Sequence, residues 1–277
     1  QDVLSGATGL SDEMSPGSVS KLLATDAIAL RANFTGAMPR ANQLYWRGPV
    51  MWDFDGYTWT ASRFGNALQR PVEYAGNAID YTVTVEPHNR RWLFGLDLPT
   101  RAPAPARLTG DFQILSPTPV SRRTRYDMLS YASWRDENEL TSAERSRALA
   151  LPARSNPRAA ALAERMRRGV SDDRAYITAV LAMFRNQNFY YTTTPPLLGA
   201  NPVDEFLFST QAGFCEHYAS AFSVMMRAAG VQSGDGDIPA SFAALNAGKR
   251  SLSLNLKDPA AIAVIRKLVA SADVVVE

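Results

Sequence analysis

The sequence is poor in residues that cross-link or coordinate. It holds one cysteine, Cys215, and two histidines, His88 and His217. A single cysteine excludes an internal disulfide and leaves an unpaired thiol to be accounted for. One account is structural, since free cysteine often serves as a small buried hydrophobe. No run approaches the ~18 consecutive apolar residues of a membrane-spanning helix, and no secretory leader is visible. The chain starts at Gln1 rather than Met, which reads as a processed or excised piece of something longer. Lys and Arg exceed Asp and Glu by only two charges, so the balance favours neither nucleic acid nor an acidic membrane. The densest cationic cluster, Arg122-Arg123-Thr124-Arg125, is short and reads as a solvated strand end.

What is present suffices for two domains, because 277 residues with 46% hydrophobic content can bury a core in each. Residues 1–20 are small and polar and read as a linker or arm. Residues 21–150 read as a β-rich domain. Tyr57-Thr58-Trp59-Thr60 and Tyr81-Thr82-Val83-Thr84-Val85 alternate at period two, and Phe112-Gln113-Ile114-Leu115 is a further short candidate. Asp55-Gly56 is a hairpin-turn signal. Short strands with frequent turns suggest an antiparallel sandwich or barrel. Tyr45, Trp46, Trp52, Phe54, Trp59 and Trp92 are expected to form its core.

Helical spacing takes over in residues 151–231. Asn156-Pro157 reads as an N-cap with proline in the first turn, and Gly169 as the stop of that helix. A second helix follows Asp172, with Tyr176, Ile177, Val180, Leu181 and Phe184 on its apolar face. A short helical turn over Val203–Phe208 follows Asn201-Pro202. A third helix is expected from about Cys215 to Ala229, with Ala221, Phe222, Met225, Met226 and Ala229 buried and Gly230 as its end. In residues 232–277, Ser251–Leu256, a helix after Asp258-Pro259, and Asp273–Val276 read as an orphan βαβ unit. The whole is an α+β chain.

Cys215 follows Gly213-Phe214 and opens the third helix. A thiol there faces unpaired backbone N–H groups and the positive end of the helix dipole, both of which favour thiolate. That suits covalent acyl transfer, which also needs a base and a group that orients it. Residues two apart on a helix point to nearly opposite sides, so His217 reads as a packed or capping histidine. Nothing in its spacing ties His88 to Cys215, and no histidine follows His217. From spacing alone Cys215 is either a nucleophile without a partner or a structural cysteine.

A longer pattern adds to this. Thr194-Pro195-Pro196-Leu197-Leu198-Gly199, Pro202-Val203-Asp204-Glu205-Phe206-Leu207-Phe208, Gly213-Phe214-Cys215-Glu216-His217-Tyr218-Ala219-Ser220-Ala221-Phe222 and Met226-Arg227-Ala228-Ala229-Gly230 resemble the transglutaminase-like domain of bacterial TgpA-type inner-membrane proteins. Tyr45-Trp46-Arg47-Gly48-Pro49-Val50 and Phe54-Asp55-Gly56-Tyr57-Thr58-Trp59 resemble the periplasmic region of the same family, so the likeness runs over about residues 9–231. It implies a papain-like core with Cys215 as nucleophile, in a periplasmic part of a protein whose membrane helices precede Gln1. The implied reaction is acyl transfer from a glutamine-containing protein or peptide to an amine, or the related hydrolysis. No metal or organic cofactor and no nucleic-acid partner are implied.

In that family the catalytic His and Asp lie on strands after the nucleophile helix. Here Val231 is followed by Gln232-Ser233-Gly234-Asp235-Gly236-Asp237, and the likeness stops. Phe242–Leu252 with Asn255-Leu256-Lys257-Asp258-Pro259, and then Asp273–Glu277, resemble the N-terminal region of family III CoA-transferases over about residues 236–277. In that family Lys249-Arg250-Ser251-type residues lie near the CoA-binding region, and the catalytic Asp comes much later. The expectation is a transglutaminase-like core truncated after its nucleophile helix, with little or no activity. Alternatives are a non-catalytic binding or structural module and a CoA-transferase-type fragment. The junction near residues 231–235 reads as a natural fusion, a frameshift or an assembly artefact.

Overall fold

In the computed structural model, which describes residues 11–16, 28–40, 43–61, 72–135 and 141–231, strands fill the first half and helices the second. The βαβ segment expected over 251–276 lies outside the described residues. The strands are β1 (Glu13–Met14), β2 (Leu30–Phe34), β3 (Trp46–Arg47), β4 (Met51–Phe54), β5 (Trp59–Ala61), β6 (Glu73–Val85), β7 (Trp92–Leu93), β8 (Gly95–Leu96), β9 (Arg107–Leu108), β10 (Ile114–Leu115) and β11 (Thr124–Arg135). There follow α1 (Ser142–Ala148), α2 (Pro157–Arg168), α3 (Asp173–Asn186), β12 (Tyr190–Tyr191), α4 (Pro202–Glu205), a π-helical turn (Phe206–Thr210), β13 (Ala212–Gly213) and α5 (Cys215–Ala228).

Instead of one sandwich or barrel, the described strands of the first half form several small antiparallel sheets. Their orders are β11-β6-β2, β1-β5-β4, β7-β10-β9 and β3-β8. β11 pairs with β6 from Thr124↔Val85 to Arg135↔Glu73, whereas β2 covers only Tyr81–Val85. Along that stretch Tyr81, Val83 and Val85 are buried and alternate with Thr82 and Thr84, as a sheet with one covered face requires. The expected strand at Tyr57–Thr60 begins only at Trp59. Asp55 to Thr58 form the hairpin loop, in which the Asp55 carboxylate accepts from the N–H groups of Tyr57 and Thr58 at 2.8 and 2.6 Å. Phe112 and Gln113 precede β10 rather than joining it, because Phe112 adopts a left-handed conformation with φ of 60°.

The buried side chains form two clusters. One lies against β6 and β11 and contains Tyr81, Val83, Val85, Leu93, Leu96, Ile114 and Met128. The other unites Ala159, Ala163, Tyr176, Val180, Phe206, Phe222 and Met225 of the helices with Phe54 and Trp59 of the hairpin. Phe54 and Trp59 therefore pack with the helices, a correction to their expected place in a β core. Alternation marks a buried face, but it does not say what covers it. Trp59 donates its indole N–H to Ser220 of α5 at 2.8 Å. Arg227 of α5 lies over the Trp59 ring and donates to the carbonyls of Trp52 and Ala150. Hairpin and helix are thus joined by apolar burial, a cation–π contact and charge-assisted hydrogen bonds.

Asn156 does not cap its own helix as expected. It sits in the left-handed region, φ 48°, and its side chain makes no bond to α2. Its Oδ1 accepts from the N–H groups of Val203 and Asp204, which start α4. Asp204 in turn accepts from the N–H groups of Arg158 and Ala159, which start α2. Each residue satisfies the orphan donors of the other's helix.

Candidate active site

The candidate site lies where β13 runs into α5. β13 pairs in parallel with β12, in the register Tyr190↔Ala212 and Tyr191↔Gly213. Thr192 donates to the Gly213 carbonyl at 2.9 Å and Tyr190 to that of Gln211 at 3.0 Å. Gly213 leaves no room for a side chain, since a Cβ there would lie 2.6 Å from Phe206 Cε2 and 2.8 Å from His217 Cβ. Glycine at this position lets the strand pass beneath the first turn of the helix. Phe214 is extended, with φ −104° and ψ 177°, and Cys215 is the first helical residue. Cys215 is neither buried nor fully exposed, and as the first helical residue it stands at the end of α5 where backbone N–H groups lack intrahelical partners.

His217 is sealed beneath that turn, only 3% exposed. Its Nδ1 accepts from the backbone N–H of Phe214 at 3.3 Å, and its ring packs 5.8 Å from that of Phe206. Burial lowers its pKa, which favours the neutral ring. A neutral imidazole has one acceptor nitrogen, and here that nitrogen is taken by Phe214. His217 is therefore a capping histidine, as the helical geometry implied. Glu216 is also buried, its Oε1 3.8 Å from His217 Nδ1. Because that nitrogen accepts the Phe214 proton, the approach is not a charged pair.

His88 is committed elsewhere. It is buried edge-on to Phe94, and its Nδ1 accepts from the Arg90 N–H. Burial lowers its pKa too, and the nearby Arg90 charge acts in the same sense.

Tyr191 stands beside the start of α5. Burial pushes its pKa up to about 12, and the nearby Cys215 charge acts in the same sense. Its ring lies 5.2 Å from Phe214 and 6.2 Å from Tyr218, centroid to centroid. Tyr218 joins an aromatic cluster with Phe184, Phe189 and Phe206, which backs the first turn of α5. Sequence spacing gave no sign of Tyr191, because its approach to the start of α5 depends on the parallel pairing of two-residue strands. Among the described residues no cluster of His, Cys, Asp or Glu has a metal-binding arrangement. Among those residues, too, no helix is long and apolar enough to cross a membrane.

A cysteine at the start of a helix, fed by a glycine strand and preceded by a β-rich region, is the arrangement that the transglutaminase-like resemblance implies. Profiles of known families agree: residues 160–234 match the transglutaminase-like superfamily and residues 3–136 the TgpA N-terminal domain. The chain is 38% identical over 227 residues to a protein-glutamine gamma-glutamyltransferase of Pseudomonas aeruginosa, a match covering 82% of this chain and 34% of that protein. It thus spans about a third of the length of the curated relative it matches. The crystal structure of the periplasmic domain of TgpA from Pseudomonas aeruginosa superposes with a TM-score of 0.76 at 38% identity, over 80% of this chain and 78% of that one. The same domain bound to ethylmercury gives 0.75, over 80% of each chain. The chain belongs to the TgpA family of transglutaminase-like proteins. Residues 225–277 match a second profile, CoA-transferase family III, so the two likenesses meet between residues 225 and 234.

Proposed function

We propose that residues up to about 231 form the acyl-transfer scaffold of a protein-glutamine gamma-glutamyltransferase, with Cys215 as its nucleophile. The thiolate attacks the carboxamide carbon of a glutamine side chain, ammonia leaves, and the thioester passes its acyl group to an amine or to water. One observation carries this reading: Cys215 is the first residue of α5, partly open to solvent, two residues after the close-packed Gly213. Kinship with the TgpA periplasmic domain supports a place on the periplasmic side of an inner membrane.

The 277 residues do not complete the Cys–His–Asp set. Neither histidine is free to act as base, and none lies beyond residue 217. Turnover of amide donors is accordingly lost or reduced by several orders of magnitude, because triad members act as a unit. The chain then divides into an arm at 1–20, a β-rich region at 21–150, a core at 151–231 and a CoA-transferase-like remnant at 232–277. The profile match of the last part supports that division.

Nucleophile and turnover separate experimentally. A p-nitrophenyl ester has a leaving group that needs no proton, so a thiolate alone can displace it. Stoichiometric nitrophenolate release with acetyl located on Cys215 by mass spectrometry supports the reading. Acyl groups only on other residues, or a burst that survives Cys215→Ala, would remove it.

A further inference from the structure

β12 is an edge strand: among the described residues its only neighbour is β13. The N–H groups of Tyr190 and Thr192 are spent on the carbonyls of Gln211 and Gly213. The residue between them turns its own N–H and carbonyl to the other side of the strand. Tyr191 thus offers a main-chain donor and acceptor on the outer edge, level with Gly213. Such an edge is a template for an extended peptide.

The side chains fit that use. Phe189 and Tyr191, two apart, both reach Tyr218, at 6.3 and 6.2 Å between ring centroids, so this face of the chain is turned to α5. Tyr191 also lies 5.2 Å from Phe214. Phe214 and Tyr218 stand one before and three after Cys215, and a residue three along shares a helix face with the first. The Tyr191 ring, 56% exposed, is therefore an open aromatic wall beside the start of α5. Leu197, on the connection from β12 to α4, is 95% exposed. Residues 186–203 hold no Asp, Glu, Lys, Arg or His. Glu205, which bonds this connection from α4, has its carboxylate engaged by the Gly199 N–H at 2.8 Å. A charged side chain laid on this segment loses water without meeting an opposite charge from it, whereas an apolar one gains burial.

We propose that the outer edge of β12 and the Tyr191 ring form the acyl-donor subsite of Cys215. The donor binds as an extended, uncharged segment that pairs with the Tyr191 main chain and lays the apolar side chain next to its glutamine on the Tyr191 ring. This rests on the reading of Cys215 as nucleophile. Tyr190, also exposed, is the internal control, because successive strand residues point to opposite faces.

The test uses capped tripeptides that carry a glutamate γ-p-nitrophenyl ester in place of the glutamine carboxamide, with Phe, Leu, Asp or Lys beside it. Nitrophenolate leaves and the acyl group stays on sulfur, so release and intact mass of the full chain both follow acylation of Cys215. The Phe and Leu peptides are expected to react about tenfold faster than the Asp and Lys peptides. N-methylation of the Phe amide, which removes a strand-pairing N–H, is expected to slow that peptide roughly fivefold. Tyr191→Ala brings the Phe-to-Asp ratio down towards one, and Tyr190→Ala leaves it in place. Equal rates for all four peptides, or an N-methyl peptide as fast as its parent, overturn the inference. A preference that survives Tyr191→Ala, or is lost equally in Tyr190→Ala, overturns it too. Should Tyr191→Ala fail to fold, the peptide series and the N-methyl comparison decide in the unaltered chain. p-Nitrophenyl acetate, which carries no peptide, separates this inference from the one beneath it. No acetyl on Cys215 removes the nucleophile reading, whereas acetyl on Cys215 with no peptide preference removes the subsite alone.

Discussion

His217 accepts a hydrogen bond from the backbone N–H of Phe214, 3.3 Å away, and so caps the helix that carries Cys215. The histidine nearest the thiol in sequence is thus part of the frame. His217→Ala should lower stability by about 1–3 kcal/mol, from an unsatisfied buried N–H and the space left beneath the first turn. Folded protein should keep its ester burst at Cys215. Denaturant melts measure the first effect and stopped-flow nitrophenolate release the second. Loss of the burst in fully folded His217→Ala would make His217 the base.

Stability should fall on mild acidification. Burial lowers the pKa of both His88 and His217 from the ordinary value of 6.5. The unfolded chain therefore binds protons more readily than the folded one below that pH. Their neutral folded forms cost nothing above 6.5, and stability declines as pH drops from 6.5 towards the lowered folded values. Glu86 and Asp172 are lowered too, through hydrogen bonds from Arg123 and from the Ala175 N–H respectively. Their contribution fades only in more acid solution, beginning near 4.5 and 3.8. Melting temperature measured from about pH 8 to about pH 5 should decline in the histidine window, and less steeply in His88→Gln.

Asn156 and Asp204 should prove energetically coupled. Either residue changed to Ala leaves buried helix-start N–H groups unsatisfied, at about 1–3 kcal/mol each. Losing one cap loosens the helix that carries the other, so the double mutant should cost less than the sum. Urea denaturation of the four chains of the cycle measures this. Strict additivity would mean that the two caps act independently.

The sequence pattern made α3 and α5 legible because each has an apolar stripe and a marked start. Asp172 caps α3 through its carboxylate, as its position before that stripe suggested. α1 went unread because it buries no residue. Its only signal was the box formed by Thr141 and Glu144. The Asn156 error has a related cause: the sequence shows a capping residue, but the N–H groups it serves lie 47 and 48 positions away. Cys215 was visible through its glycine and its helix. Tyr191 was not, because strand pairing rather than spacing brings its ring to Phe214 and Tyr218 at the start of α5.

The most direct test of a nucleophile without a base is transfer of an amine to a glutamine donor by the 277-residue chain, alongside Cys215→Ala. The account predicts stoichiometric acylation of Cys215 by an activated ester, but no amide turnover above that of Cys215→Ala. Sustained glutamine–amine transfer that Cys215→Ala abolishes would contradict it, and would place a working base within these residues.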